Sequence, residues 1–190
     1  MKRELNRKGF TLVELAIVMV IIGLLIGAVL KGQAMIDDAK NKRAMNDIQG
    51  ISAAFYSYYD RYNAVPGDDP AATARWAGVA NGDANGFVGG TATPPTGESL
   101  EAWQALRFAG LLSGDPAATT APSTPYAGAY GLDFFAYGGT IGTRNRISVP
   151  NLPGSVAQII DTKFDDGVWN TGTVRGSAAY TGTVTLSYML

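Results

Sequence analysis

From Phe10 to Leu30 the chain is apolar apart from Thr11, its glycines and a single charge, Glu14. No other stretch constrains the fold as strongly. As a helix rising ~1.5 Å per residue, the run spans about 30 Å, the thickness of a bilayer's hydrocarbon core. Ahead of it, Met1 to Gly9 is a short polar leader with Lys2, Arg3, Arg7 and Lys8 against Glu4. Basic residues beside an apolar helix stay on the cytoplasmic side, so the rest of the chain is expected to face outward. A cleavable secretory signal would have a shorter apolar core and a small-x-small site after it, and Ala28-Val29-Leu30-Lys31 offers none. A plain signal anchor accounts for the run but not for Glu14.

An ionised carboxylate inside an apolar helix is costly and calls for a partner. No Lys or Arg lies on the same helix face within a turn downstream, so the partner is expected from outside this segment. Lys8-Gly9-Phe10-Thr11-Leu12-Val13-Glu14 resembles the processing site of type IV pilins and their relatives. The resemblance implies that a prepilin peptidase/methyltransferase cuts between Gly9 and Phe10 and methylates the new Phe10 amine. Glu14, then fifth in the mature chain, would pair with the Phe10 ammonium of a neighbouring subunit. A buried acid and a buried amine compensate each other when subunits stack in register. The resemblance covers the N-terminal part of the chain.

At 190 residues there is room for an anchor helix and one modest globular domain. The formal net charge of -1 conceals a basic leader and acidic pairs at Asp37-Asp38, Asp68-Asp69 and Asp165-Asp166. No basic tract or aromatic-basic stripe of the kind that grips nucleic acid is present, which sets that partner class aside. The chain has no Cys and no His, which removes disulfide staples, the usual zinc ligands and most nucleophile-base pairs. With 24 Gly and 9 Pro, the outer domain is expected to be rich in turns.

Beyond the apolar run, Ile48, Ile51, Phe55, Tyr58 and Tyr62 recur at spacings of three and four, one face of a helix. The spacing predicts one long helix from about Thr11 to Tyr62, with Asp38 and Lys42 placed for an ion pair. Gly23, Gly27 and Gly32 mark a candidate break. Many pilins and pseudopilins carry a proline about midway along the buried half, whereas this chain has Lys31 near that position. Gly23-x-x-x-Gly27 also resembles a close-packing face between membrane helices, though glycines are tolerated there without such a role. Val65-Pro66-Gly67-Asp68-Asp69-Pro70 is expected to end the helix.

Further on, Ala71 to Gly78 reads as a short helix with Trp76 as a buried anchor, and Glu98 to Leu112 as an amphipathic helix closed by Gly114-Asp115-Pro116. Ala117 to Pro125 reads as an exposed Ala/Thr/Pro loop. Strands are expected around Leu132 to Tyr137, within the aromatic and glycine-rich Tyr126 to Gly139, and at Arg146 to Val149, the latter ended by Pro150 and Pro153. Ser155-Val156-Ala157-Gln158 is a capping-box pattern opening a helix that ends at Asp165-Asp166-Gly167. Val168 to Arg175 reads as a hairpin. Val184, Leu186, Tyr188 and Leu190 alternate with polar positions as in a half-buried final strand.

Candidate ligand sites are acidic. Asn81, Asp83 and Asn85, at alternate positions and followed by Gly86, resemble the first half of a calcium loop. The place of a terminal bidentate Glu holds Ala92, leaving Glu98 or Glu101 as substitutes, and an Asn/Gly/Asp-rich turn also forms without metal. Asp161, Asp165 and Asp166 read as a second cation site, an acid pair for catalysis, or a solvated turn beside Lys163. Tyr126, Tyr130 and Trp169 are candidate exposed aromatics for binding, with the domain core as the competing demand on them.

The expected fold is therefore α+β and pilin-like: a long N-terminal helix, half membrane-spanning and half amphipathic, packed on a small antiparallel sheet with short helices and long loops. The expected division is a cleaved leader (1–9), a transmembrane or filament-core segment (10–32) and an outer domain (33–190). By resemblance, the chain is a prepilin-like structural subunit rather than an enzyme. It waits in the bacterial inner membrane and is drawn by an inner-membrane assembly platform into a filament of self or related pilin subunits, periplasmic or on the cell surface. The alternative within that superfamily is a pseudopilin of a type II secretion system. From another class, the outer domain could serve as a membrane-tethered glycan-binding module or as a hydrolase, the latter needing two carboxyls at the right separation across a cleft. No cofactor is required, and structural calcium is the one candidate.

Overall fold

The computed structural model describes residues 9–137 and 141–190. The basic leader lies outside the described residues except for Gly9, as do Gly138 and Gly139 of the expected aromatic-glycine segment. In chain order the elements are α1 (Leu12–Tyr62), α2 (Ala72–Arg75), α3 (Glu98–Phe108), β1 (Ser123–Thr124), β2 (Gly128–Ala129), β3 (Gly131–Ala136), β4 (Thr143–Pro153), α4 (Gly154–Phe164), β5 (Val174–Gly176) and β6 (Thr183–Met189). The architecture is α+β, a long N-terminal helix followed by a small antiparallel sheet with short helices, consistent with a pilin-like fold. The chain divides into two compact units, Met1–Lys40 and Asn41–Leu190.

In the first unit α1 is helical from Leu12 onward, and Gly23, Gly27 and Gly32 do not interrupt it. A helix backbone keeps its own hydrogen bonds through glycine, so an isolated glycine costs stability without forcing a break. Its apolar side chains are exposed, from Leu12 at 90 % to Ile36 at 57 %. By length and composition α1 can cross a membrane. Asp37 pairs with Lys40 at 3.8 Å.

The second unit contains the core. Ile48, Ile51, Phe55 and Tyr58 of α1 are buried as their spacing predicts, together with Ala44 and Ala54, while Tyr62 packs against the cluster partly buried. Arg43 and Asp47 form the ion pair on this part of the helix, at 3.5 Å; Asp38 and Lys42 form none. The helix ends at Tyr62, three residues before the expected prolines act, because Asn63 takes a left-handed φ of 51°. Trp76 is half-buried rather than fully so, tilted against Tyr58, edge-on to Tyr62 and stacked on Phe108. The deepest anchor is Trp103 on α3. That helix stops at Phe108, earlier than Gly114, since Gly110 turns back with φ 69°.

The main sheet has the order β3-β4-β6-β5, antiparallel throughout. Leu132, Ile147, Tyr188 and Val174 form one cross-strand row, and Gly131, Ser148, Ser187 and Arg175 the adjacent row on the opposite face. The apolar row joins the core, and the second row, with Ser148 and Ser187 buried, makes the opposite face of the sheet more polar. Three expectations are corrected here. β4 continues through Pro150 to Pro153, because a register shift between Val149 and Leu152, with Asn151 at φ 60°, accommodates the prolines as a bulge. α4 starts at Gly154 with Pro153 preceding it, so Ser155 caps nothing; instead the Gly154 N–H donates to Gly182 at 2.6 Å. Val168 to Arg175 is not a hairpin, since β5 pairs with β6. Within the expected Ala117 to Pro125 loop, β1 pairs with β2 in a small second sheet.

Candidate functional site

The N-terminal motif forms a closed local circuit. Thr11 precedes the first helical residue and Glu14 is the third residue inside it. The Thr11 backbone N–H and hydroxyl both donate to Glu14 Oε2 at 2.9 Å, and the Glu14 N–H donates to Thr11 Oγ1 at 3.2 Å. This is a capping box, in which two otherwise orphaned helix N–H groups are satisfied reciprocally. The sequence reading sought Glu14's partner outside the segment and overlooked the Thr-x-x-Glu spacing that signals a local one. These are hydrogen bonds, and no cation is among them; among the described residues Glu14 makes no ion pair. Phe10 is 86 % exposed. A Cβ placed on Gly9 would meet nothing within 4 Å. No contact among the described residues therefore demands glycine there.

The second constellation is acidic. Gly67 (φ 90°) runs so close to α3 that a Cβ would lie 2.2 Å from the Glu98 carbonyl oxygen, and one on Gly82 would lie 2.2 Å from the Asp68 Cα. These side-chain-free approaches bring the loop after α1, the Asn81–Gly86 turn and the start of α3 together. Asp68, Asp83 and Glu98 each offer a carboxylate oxygen within 4.8 Å of the others. Asp68 is buried. Its carboxylate accepts the Asn85 N–H (3.2 Å) and the Gly86 N–H (2.6 Å), while Glu98 accepts those of Asp83 (3.1 Å) and Gly89 (2.6 Å). Burial raises the Asp68 pKa above the ordinary carboxylate value, and the Glu98 charge adds to it. Glu101 is raised by burial and then by Glu98.

Of the three residues the sequence singled out, Asp83 alone belongs to this carboxylate group. Asn81 Oδ1 accepts the Thr73 N–H at 2.8 Å, and Asn85 Oδ1 accepts the Phe87 N–H at 2.8 Å, as turn-forming asparagines do. Asp68 escaped the sequence reading because it stands in a helix-terminating turn, remote from Asp83 along the chain. Glu98 was flagged as a substitute ligand. Three converging carboxylates suit a hard cation with oxygen ligands.

Asp161, Asp165 and Asp166 also converge within 4.8 Å. Asp161 is fully buried and raised in pKa by that burial, a shift opposed by the Tyr180 hydroxyl, which donates to it at 2.6 Å. Asp165 accepts the Thr173 N–H and, at 3.1 Å, the Val174 N–H. Asp166 takes the Val168 N–H at 2.8 Å and the Thr171 hydroxyl at 2.5 Å, which hold its pKa low. Most of this cluster is spent on fastening the loop after α4. Of the candidate aromatics, Tyr130 is fully buried, its hydroxyl donating to Asp47 at 2.9 Å, and Tyr126 is half-buried and donates to Asn41. Trp169 is exposed at 38 %.

Set against known protein families, residues 5–30 match the model described as the prokaryotic N-terminal methylation motif. The N-terminal segment is a prokaryotic N-terminal methylation motif. It is the signature of type IV pilins and pseudopilins, and the matched span takes in Gly9, Phe10, the Thr11–Glu14 capping box and the apolar turns that follow. Proteins with this motif are, as a class, membrane-anchored precursors of structural subunits that meet a prepilin peptidase and assemble with related subunits. No curated protein and no solved structure matches the chain.

Proposed function

We propose that the chain is a prepilin-like structural subunit, cut between Gly9 and Phe10, methylated on the Phe10 amine and assembled into a type IV pilus-type filament. The observation that carries this reading is the methylation motif at residues 5–30 continuing into a helix whose apolar side chains are exposed. Exposed apolar area of that extent requires lipid or other apolar helices around it. In this reading the precursor crosses the inner membrane once, with the leader (1–9) in the cytoplasm, residues 10–32 in the bilayer and 33–190 outside. An assembly platform then transfers residues 10–32 from lipid into a bundle of like helices. The Glu14 carboxylate exchanges its Thr11 hydrogen bonds for, or shares them with, the Phe10 ammonium of a neighbouring subunit, and so fixes register. The work done is assembly rather than chemistry on a substrate.

Intact mass and N-terminal sequencing of the protein from its native membranes tests the reading. The expected species begins at methylated Phe10, and Gly9→Leu yields a retained precursor. A native chain still beginning at Met1 beside an active prepilin peptidase would leave a plain anchor. A pseudopilin of a type II secretion system shares the same N-terminus. Gene deletion separates the two: loss of surface filaments supports the pilus, and loss of exoprotein release supports the pseudopilus. We further propose calcium as the cation for the Asp68-Asp83-Glu98 group.

A further inference from the structure

The more polar face of the main sheet carries a cleft of about 440 Å³ that the filament reading does not use. One wall is aromatic: Phe135 is 43 % exposed, and Tyr137 meets it edge-on at 4.9 Å between centroids. Trp169, on the loop after α4, also lines the cleft. An exposed tryptophan and an exposed phenylalanine lining one concave surface are apolar area withheld from the core. It is also held in place. The Trp169 carbonyl accepts the Gly176 N–H at 2.8 Å, and Asp165 and Asp166 tie down the residues on either side. The floor contributes hydrogen-bonding groups, among them Asn170 and Ser177.

The two arginines of the cleft differ in a way that identifies the ligand. Arg146 is committed within the fold. It grips Asp133 through two bonds of 2.8 and 3.0 Å, donates to Ser187 at 3.0 Å and lies 4.3 Å over the Phe135 ring. Among the described residues Arg175 donates its Nε to the Gly172 carbonyl at 3.1 Å, lies 5.7 Å over the Tyr137 ring and makes no direct ion pair, although its charge reaches Asp166. Its two Nη groups, which make no hydrogen bond among the described residues, present a forked donor beside aromatic faces. A guanidinium fork fits a carboxylate bidentately, and aromatic walls take the C–H face of a sugar ring.

We propose that this cleft binds an acidic sugar of the hexuronate class, its ring against Trp169 and Phe135 and its carboxylate on Arg175. Asn170 and Ser177 hydrogen-bond its hydroxyls. The volume accommodates one or two sugar units, within the range of ligand pockets. A nucleic-acid strand would need a track of cations, and of the two arginines lining the cleft Arg146 is already paired with Asp133. The inference concerns the outer domain and holds whether or not the N-terminus is processed.

The test uses the full-length chain in detergent micelles, titrated with a galacturonic acid tetrasaccharide while Trp fluorescence is recorded. Its methyl ester and a single-stranded oligonucleotide serve as competing probes. The acid should bind at least about tenfold more tightly than the ester, the effect of one lost charge-assisted pair. Arg175→Gln should abolish that preference while ester binding persists, and Trp169→Ala should remove binding of both, with circular dichroism unchanged. Equal binding of acid and ester, tighter binding of the oligonucleotide, or no binding at millimolar sugar would each overturn the proposal. The acid-ester comparison on the unaltered protein decides the matter even if a variant misfolds.

Discussion

The two units of this chain solve the problem of apolar surface in opposite ways. In residues 9–40 the large side chains are outside: Leu12, Leu24 and Met35 are all at least 65 % exposed. In residues 41–190 they are inside, with Trp103, Leu132, Ile147 and Leu186 fully buried. Burial of that kind supplies roughly 25 cal/mol per Å² from within the chain, whereas the first unit gains nothing until lipid or another helix covers it. Charge follows the same division. Buried Asp69 receives Tyr58 and Arg75 from its own domain, while Glu14 receives the neutral Thr11 and, among the described residues, no cation. One unit is complete in itself, and the other is a part awaiting its surroundings.

Glu14→Ala tests the division most severely. The variant should insert and be processed, and the thermal midpoint of the outer domain should not move, because the hydrogen bonds of Glu14 among the described residues are to Thr11. Incorporation into filaments should fall by an order of magnitude or more, since a neighbour's ammonium would be left in an apolar bundle without its acid. Pull-down of assembled filaments against total membrane protein measures the ratio. Assembly at the unaltered level would dismiss the pairing.

Trp103→Ala inverts the experiment. Removing a fully buried indole should destabilise the outer domain by about 3–5 kcal/mol, read as a loss of roughly 6–20 °C in Tm. Leu24→Ala, a truncation on a residue 70 % exposed, should leave that transition in place. If both shift Tm alike in detergent, the two units do not unfold independently and the contrast fails.

Tyr58→Phe probes the buried polar side. The hydroxyl donates to Asp69 Oδ2 at 2.7 Å, and burial followed by that bond pushes the Tyr58 pKa far up, so the phenol stays neutral and donating. Loss of the donor beside an almost fully buried carboxylate should cost about 1–3 kcal/mol by denaturant titration. A change below about 0.5 kcal/mol would show that Arg75 and the Ala71 N–H satisfy Asp69 without it.

What could be read from the sequence divides along the same line. The apolar run, the processing motif and the Ile48–Tyr62 face are periodic or contiguous, so one dimension suffices to see them. The final strand, at Thr183–Met189, is legible from alternation alone. Misreadings cluster where a distant segment overrides a local rule. Pro150 looks terminal until β6 supplies a bulged partner, and Ser155 resembles a cap until Gly182 provides an acceptor for the helix start. The acidic site was half visible: Asp83 lies in an evident turn, but Asp68 joins it only because Gly67 and Gly82 permit backbones to touch. The Thr11–Glu14 capping box is the reverse case, a purely local signal masked by the search for a remote partner.

The smallest expected effect concerns that acidic site, and its sign follows from burial. The folded-state pKa of Asp68 lies above the unfolded value, so between the two the folded protein binds more protons than the unfolded chain. Asp68 therefore withdraws stability as pH rises from the ordinary carboxylate range through its raised value, and returns it on acidification. Other carboxylates titrate nearby, which makes the difference between the unaltered chain and Asp68→Asn the proper observable. Asn keeps one acceptor for the Asn85 and Gly86 N–H groups and abolishes the charge, so the variant should be slightly the more stable at neutral pH without metal. The gap should close as pH falls below the usual carboxylate value. A bound cation removes the same repulsion by another route, so millimolar calcium should raise Tm of the unaltered protein at pH 7, lose that effect with a chelator, and do nothing for Asp68→Asn. A calcium response that survives Asp68→Asn would move the ion to another site. An absent response, with the pH-dependent gap intact, would leave three carboxylates held together by backbone N–H groups alone, in a domain whose charges are balanced from within.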